Sequence, residues 1–160
     1  MAGSLYENYY VQAFPSFGPE RRGAPVLGFT RIDSKPIHDH SKVYSCEYVV
    51  VLDESLLEVV DVCEGLKEGG VLLINTSRRP QDFAAAGHKV YTIDATGLAL
   101  TVLEQPITNT PMFGALVAVS GLVSLDAAQQ AVDMMLPAAI SAKNKEVVAL
   151  AYRRLKEAMA

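Results

Sequence analysis

Cysteine is nearly missing from this sequence: Cys46 and Cys63 are the only two in 160 residues, and they form no CxxC pair. Two thiols suit a reducing compartment and a role as small buried side chains. They also exclude a self-contained cubane iron–sulfur cluster, which takes four thiolates. Histidine is as sparse. His38-Asp39-His40 alternates two imidazoles, but only His88 remains as a third and no acid or cysteine recurs at ligand spacing, so no metal site is expected. Also lacking are an apolar run approaching the ~20 residues of a membrane span and a charged-then-apolar leader after Met1-Ala2-Gly3-Ser4. A net charge of −4, with no basic stripe, supplies no counterion-release term for nucleic acid. The expectation is a cytoplasmic protein that binds neither membrane nor nucleic acid. No nucleophile elbow, Walker loop or GxGxxG turn is present, so no self-sufficient catalytic site is expected either.

What the chain has is apolar content of 50%, enough for a core, at a length that fits one domain. That domain is expected over residues 9–158, with residues 1–8 as a tail. The most informative stretch runs from Tyr9 to Asp33. Pro15, Pro19 and Pro25 fix φ while Gly18 and Gly23 release it, so the loop between two strand-like runs reads as rigid. It displays Glu20, Arg21 and Arg22. Neighbouring guanidiniums repel, and presenting two of them on a stiff loop suits a site where carboxylates or phosphates arrive. A solvated turn with weak ion pairs is the plainer alternative.

Strands are expected at Tyr9–Phe14 and Val26–Ile32, either antiparallel or connected at an edge, and at 47–53, where Tyr48-Val49-Val50-Val51-Leu52 reads as a strand of a parallel sheet buried on both faces. Leu56, Val59, Val60 and Cys63 recur at helical spacing, predicting a helix over 55–64 that Gly65 ends. Lys67-Glu68-Gly69-Gly70 reads as a turn, Val71–Asn75 as a second buried strand, residues 81–86 as a short helical or irregular piece, and His88–Asp94 as a further strand. Alternation of strand and crossover predicts an α/β fold with a mostly parallel, three-layer, Rossmann-like sheet. Helical periodicity then takes over in the C-terminal third. Helices are expected at 98–103, at Pro111–Ser120 with Thr110 as N-cap and Gly121 as stop, from Ser124 to about Leu136, and from Ser141 to Ala158. The last buries Val147, Val148, Ala151 and Leu155 and exposes Arg153, Arg154, Lys156 and Glu157.

In an open α/β sheet ligands bind beyond the carboxyl ends of the strands, which groups Asp53, Asn75, Thr76, Ser77 and the Asp94-Ala95-Thr96 turn. The same residue types also occur there simply as helix caps, and Asp53-Glu54 suits capping better than acid–base work.

Phe14-Pro15-Ser16-Phe17-Gly18-Pro19-Glu20-Arg21-Arg22-Gly23-Ala24-Pro25-Val26, with Phe29-Thr30-Arg31-Ile32-Asp33 and Lys35-Pro36-Ile37, resembles the gamma subunit or gamma domain of pyruvate:ferredoxin oxidoreductases, within the 2-oxoacid:acceptor oxidoreductase family. Tyr48–Asp53, Gly65–Gly70, Asp94–Thr96, Pro106–Thr110, Met112 and Gly114-Ala115 agree. The resemblance implies an accessory, non-catalytic component, inactive alone, of an enzyme of anaerobic metabolism that converts pyruvate and coenzyme A to acetyl-CoA, CO2 and reduced ferredoxin. Thiamine diphosphate, Mg2+ and 4Fe-4S clusters would sit on alpha, beta and delta-type partners, with ferredoxin or flavodoxin meeting the complex and none of these cofactors bound by this chain. It further implies that Ser16, Glu20, Arg21, Arg22, Asn109 and Thr110 face a subunit interface or the coenzyme A path. Family members usually begin with a strand and a G-R-G-G-Q-G turn, and this sequence starts beyond that unit. A sheet edge would then be paired by another chain, by a second copy in isolation, or by rearranged elements. Three alternatives stay open: a gamma subunit for 3-methyl-2-oxobutanoate, one for 2-oxoglutarate, or a stand-alone α/β module binding an anionic small molecule.

Overall fold

The computed structural model describes residues 2–3, 7–16, 25–39, 41–83 and 87–160. Two sheets form. β1 (Tyr10–Ser16) and β2 (Leu27–Asp33) make an antiparallel arm in register from Tyr10↔Asp33 to Ser16↔Leu27. β3 (Cys46–Val51), β4 (Leu66–Asn75) and β5 (Lys89–Ile93) make a separate parallel sheet in the order β3-β4-β5. The α/β fold with its parallel sheet and helical C-terminal third is therefore as the sequence predicts.

β4 lies in the middle, and its alternation splits the core. Leu73 meets the helices on one face, while Leu72 and Ile74 pack with Leu56, Leu57 and Phe83 on the other. Helix α1 (Ala95–Leu103), α2 (Asn109–Ser120), α3 (Leu125–Met135) and α4 (Ala138–Met159) follow. α4 buries Val147, Val148, Ala151 and Leu155 against α2 and the sheet, the stripe its 3.6-residue period assigns. Gly121, at φ 60°, ends α2, and Ser124 Oγ accepts from Ala127 N to cap α3.

Three expectations change. Residues 55–64 form no α-helix: a single 3-10 turn covers Glu54–Glu58, and Val59 is left 70% exposed. Three β-branched valines disfavour a helix there, and Asp61 Oδ1 accepts from Cys63 N at 2.9 Å, a local turn that competes with helical bonding. Lys67–Gly70 is a bulge inside β4 rather than a turn, because the register jumps from Cys46↔Leu66 to Tyr48↔Val71 and Gly69 takes φ +71°. α2 starts at Asn109 with Thr108 as N-cap, two residues before the predicted cap; Pro111 is accommodated because the first turn needs no amide from it.

Two residues of the expected tail are docked. Ala2 is buried with Ala127 and Ala131, and Glu7 accepts from Ser124 N (3.0 Å) and Ser124 Oγ (2.6 Å) at the start of α3.

Four surface carboxylates sit below their ordinary values: Glu7 through the Ser124 hydroxyl and amide, Asp53 through Ser55, Glu104 through Lys143, and Asp133 through Lys145 and Ser141. A carboxylate lowered on folding contributes fully above its ordinary value and loses that contribution as pH falls through the lower folded one. The urea midpoint is therefore expected to be flat from about pH 8 to about pH 5 and to decline progressively below about pH 4.5. Equilibrium unfolding at a series of pH values checks this.

Candidate functional site

The carboxyl edge of the sheet is organised by one amide side chain. Asn75, the last residue of β4, is buried; its Nδ2 donates to Leu52 O (2.9 Å) and to Thr96 Oγ1 (3.0 Å). Its Oδ1 accepts from Ala95 N (3.0 Å) and Thr96 N (3.3 Å). One residue thus ties the end of β3 to the first turn of α1. Asp94 completes the arrangement by accepting from Gly97 N at 2.7 Å, and Thr76 N donates to Ile93 O at 3.0 Å. Chemically, the amides that a helix N-terminus offers to an anion are already taken by Asn75 and Asp94. Of the edge residues named from sequence, Asn75, Asp94, Ala95 and Thr96 are brought together here and act as a clasp, while Asp53 caps its own 3-10 turn.

Beside the clasp Thr76 Oγ1 hydrogen-bonds the Glu54 carboxylate and accepts from Arg78 N at 3.1 Å. The Arg78 guanidinium lies over the Phe83 ring at 4.6 Å, and Arg79 pairs with Asp82 at 3.6 Å. Asp53 accepts from Ser55 N at 3.0 Å and caps the 3-10 turn.

The other candidates are distributed. Ser16 ends β1 opposite Leu27 and is half-buried. Asn109 is exposed at the first residue of α2, and its Oδ1 accepts from Thr110 N (2.8 Å) and Thr110 Oγ1 (3.3 Å). Thr108 supplies no side-chain cap. Among the described residues no hydrogen bond joins Ser16 to Asn109 or Thr110. Glu20, Arg21 and Arg22, like His40 of the weighed histidine pair, lie outside the described residues. Arg31 was not singled out in sequence, yet it is the hub of the arm. It reaches Gln12 Oε1 (3.2 Å), Asp39 O (3.3 Å) and Lys42 O (3.2 Å) and stacks over Phe14 at 5.9 Å. The sequence signal was only its place in an alternating strand.

Neither thiol is poised for chemistry. Burial raises Cys46 and then Glu47 adds to it; burial and then Asp61 raise Cys63. Both stay protonated near neutrality and are poor nucleophiles or ligands. Two such thiols do not fit a four-thiolate cluster.

A family model described as Pyruvate ferredoxin/flavodoxin oxidoreductase matches residues 1–154. The chain belongs to the pyruvate ferredoxin/flavodoxin oxidoreductase family. Among its curated relatives is pyruvate synthase subunit PorC of Methanothermobacter marburgensis, 51% identical over 147 residues, covering 92% of this chain and 81% of that protein. Another is the pyruvate/ketoisovalerate oxidoreductases common subunit gamma of Thermococcus kodakarensis, 45% identical over 157 residues, covering 96% of this chain and 85% of the relative. A crystal structure of the pyruvate oxidoreductase subunit PORC of Thermotoga maritima matches with TM-score 0.79 and 37% identity over 95% of this chain and 83% of that one. Pyruvate ferredoxin/flavodoxin oxidoreductases are redox enzymes. This family member carries the α/β fold of a gamma-type subunit without thiols suited to a cluster.

Proposed function

We propose that this chain is the accessory gamma subunit of a thiamine diphosphate-dependent 2-oxoacid:ferredoxin oxidoreductase. The complex would convert pyruvate and coenzyme A to acetyl-CoA and CO2, with the two electrons passing to ferredoxin or flavodoxin. The observation that carries this is the 51% identity to a pyruvate synthase subunit across 92% of the chain. Two thiols are too few for a 4Fe-4S cluster, which leaves the clusters to partner chains, and this reading assigns thiamine diphosphate and Mg2+ with them to alpha, beta and delta-type subunits. The working compartment is the cytoplasm, and the domain spans residues 9–158 with the docked Ala2 and Glu7 as additions to it.

A second substrate is favoured by one relative's name, which couples pyruvate with ketoisovalerate. The test is to purify the native assembly through this chain and assay it with each 2-oxoacid. Pyruvate turnover with coenzyme A and ferredoxin, in an assembly containing larger subunits, is the expected outcome. A chain that runs alone would favour the free-standing anion-binding module, and turnover by the isolated chain would overturn the accessory role.

Ser16, Glu20, Arg21, Arg22, Asn109 and Thr110 are assigned in this reading to the coenzyme A path or an adjoining subunit contact. Paired guanidiniums are suited to phosphate, and the Asn109–Thr110 pair offers it a hydroxyl at the positive end of α2. In the assembled complex, replacing Arg21 and Arg22 together by alanine is expected to raise the KM for coenzyme A by about tenfold or more, the equivalent of about 1.4 kcal/mol for a lost charged contact. An unchanged KM with unchanged subunit stoichiometry would remove these residues from both roles.

A further inference from the structure

The β1–β2 arm is at odds with what stabilises a hairpin. It is a two-stranded sheet of its own, and no residue of it is buried. A lone two-stranded hairpin is marginal in water, and among the described residues no further strand pairs with either of its long edges. Its distal half, Ala13–Ser16 facing Leu27–Thr30, has no charged residue of its own, and the Arg31 guanidinium reaches it only over the Phe14 ring. Phe14 and Phe29 stack there at 5.6 Å, and a shallow groove crosses Ala13, Phe14, Pro15, Gly28, Phe29 and Thr30. Leu27 is 59% exposed.

The two edges differ. Pro15 removes a donor from β1, and an edge strand carries proline where its nitrogen faces outward. Among the described residues, the Leu27–Thr30 segment of β2 carries neither proline nor charge and so lacks two of the usual devices that keep an added strand away. Area decides between a second copy and a different partner. Two strands of seven residues present a face of roughly 24 by 10 Å, about 240 Å2, against about 800 Å2 per partner in a stable interface. Two arms laid face to face therefore bury too little to form a dimer. A partner that pairs with the edge and closes over both faces covers roughly 480 Å2 of the arm, about twice as much, and adds main-chain hydrogen bonds that stacked faces lack.

We infer that this arm is the element by which another subunit of the oxidoreductase holds the chain, adding a strand along Leu27–Thr30 of β2 and covering the Phe14–Phe29 pair with an uncharged apolar wall. The inference rests on the gamma-subunit reading above. Main-chain pairing supplies the affinity of such contacts, and pockets for alternate side chains supply the specificity.

Hydrogen exchange of the purified native complex, compared with the isolated chain, tests it. The amides of Gly28 and Thr30, which face away from β1 as Pro15 faces away from β2, are expected to slow by about tenfold or more on assembly, while those of Leu72–Ile74 in central β4 stay as they are. Leu27→Asp and Thr30→Lys are each expected to reduce the co-purified subunits by about tenfold with the circular dichroism of the chain unchanged. Leu100→Asp, at a 51% exposed position on α1, leaves assembly intact. If the complex assembles and those amides exchange as fast as in the free chain, the docking role falls and the gamma reading stands. A dimer of the isolated chain that Leu27→Asp dissolves would assign the arm to a second copy and overturn it. If the wild-type chain brings no other subunit, both readings fall.

Discussion

Asn75→Ala is expected to lower the unfolding free energy by about 3 kcal/mol, because it leaves several buried polar groups unpaired at once. Leu52 O, Ala95 N, Thr96 N and the Thr96 hydroxyl all lose a partner, and the Ala95 bond is fully buried. The surrounding groups cannot compensate by turning to water without opening the first turn of α1. Asn75→Asp separates the two halves of the amide. It keeps an acceptor for Ala95 N and Thr96 N, next to the positive end of a helix, and loses only the donor to Leu52 O and Thr96 Oγ1. Its cost should be about half that of alanine at neutral pH, and it should shrink as pH falls, because the protonated carboxyl regains a donor for Leu52 O. Urea unfolding of both variants at neutral and acid pH, with an unchanged denaturant slope, checks the ranking. Equal losses for the two variants would mean that the acceptor side of the clasp contributes nothing.

Gly114→Ala is the second large effect. A Cβ at Gly114 would lie 2.4 Å from Val148 O and 2.9 Å from Val148 Cα, so the clash is with the backbone of α4. No rotamer change relieves it, and the two helices must move apart along the seam that holds Met112, Ala115, Val147 and Ala151. The expected cost is about 3 kcal/mol, or a fall in Tm of roughly 6–12 °C for a domain of this size. Gly28→Ala is the matched control, since a Cβ there meets nothing within 4 Å. Calorimetry of the pair tests the packing account directly, and comparable shifts would refute it.

The parts of the fold that were legible in the sequence are those specified by local chemistry. Val71–Asn75 is apolar and short, Ser124 is a cap, and Gly121 and Pro137 are stops, and each acts within a few residues of itself. The pairing of β1 with β2 was legible in the alternation of their side chains. The 55–64 stretch was not, since its apolar spacing is helical while its valines and the Asp61 turn oppose a helix. Gly114 carried no signal as a contact point: a close approach between helices distant in sequence has no local pattern. Asn75 was recognisable as a residue of the ligand-bearing edge, but its role as the clasp depends on Leu52 and Ala95 arriving from other elements. Arg31 was hidden for the same reason, because its partners lie in the loop around Asp39 and Lys42.

The placement of α4 has a consequence for biosynthesis. Leu73 of the central strand is covered by side chains that include Val147 and Leu155, so the sheet emerges from the ribosome with one oily side uncovered. That side waits for α4 to be translated before it can close. Nascent chains stalled ahead of Val147 should therefore bind chaperones and protease readily, and release of α4 should be the moment at which resistance appears.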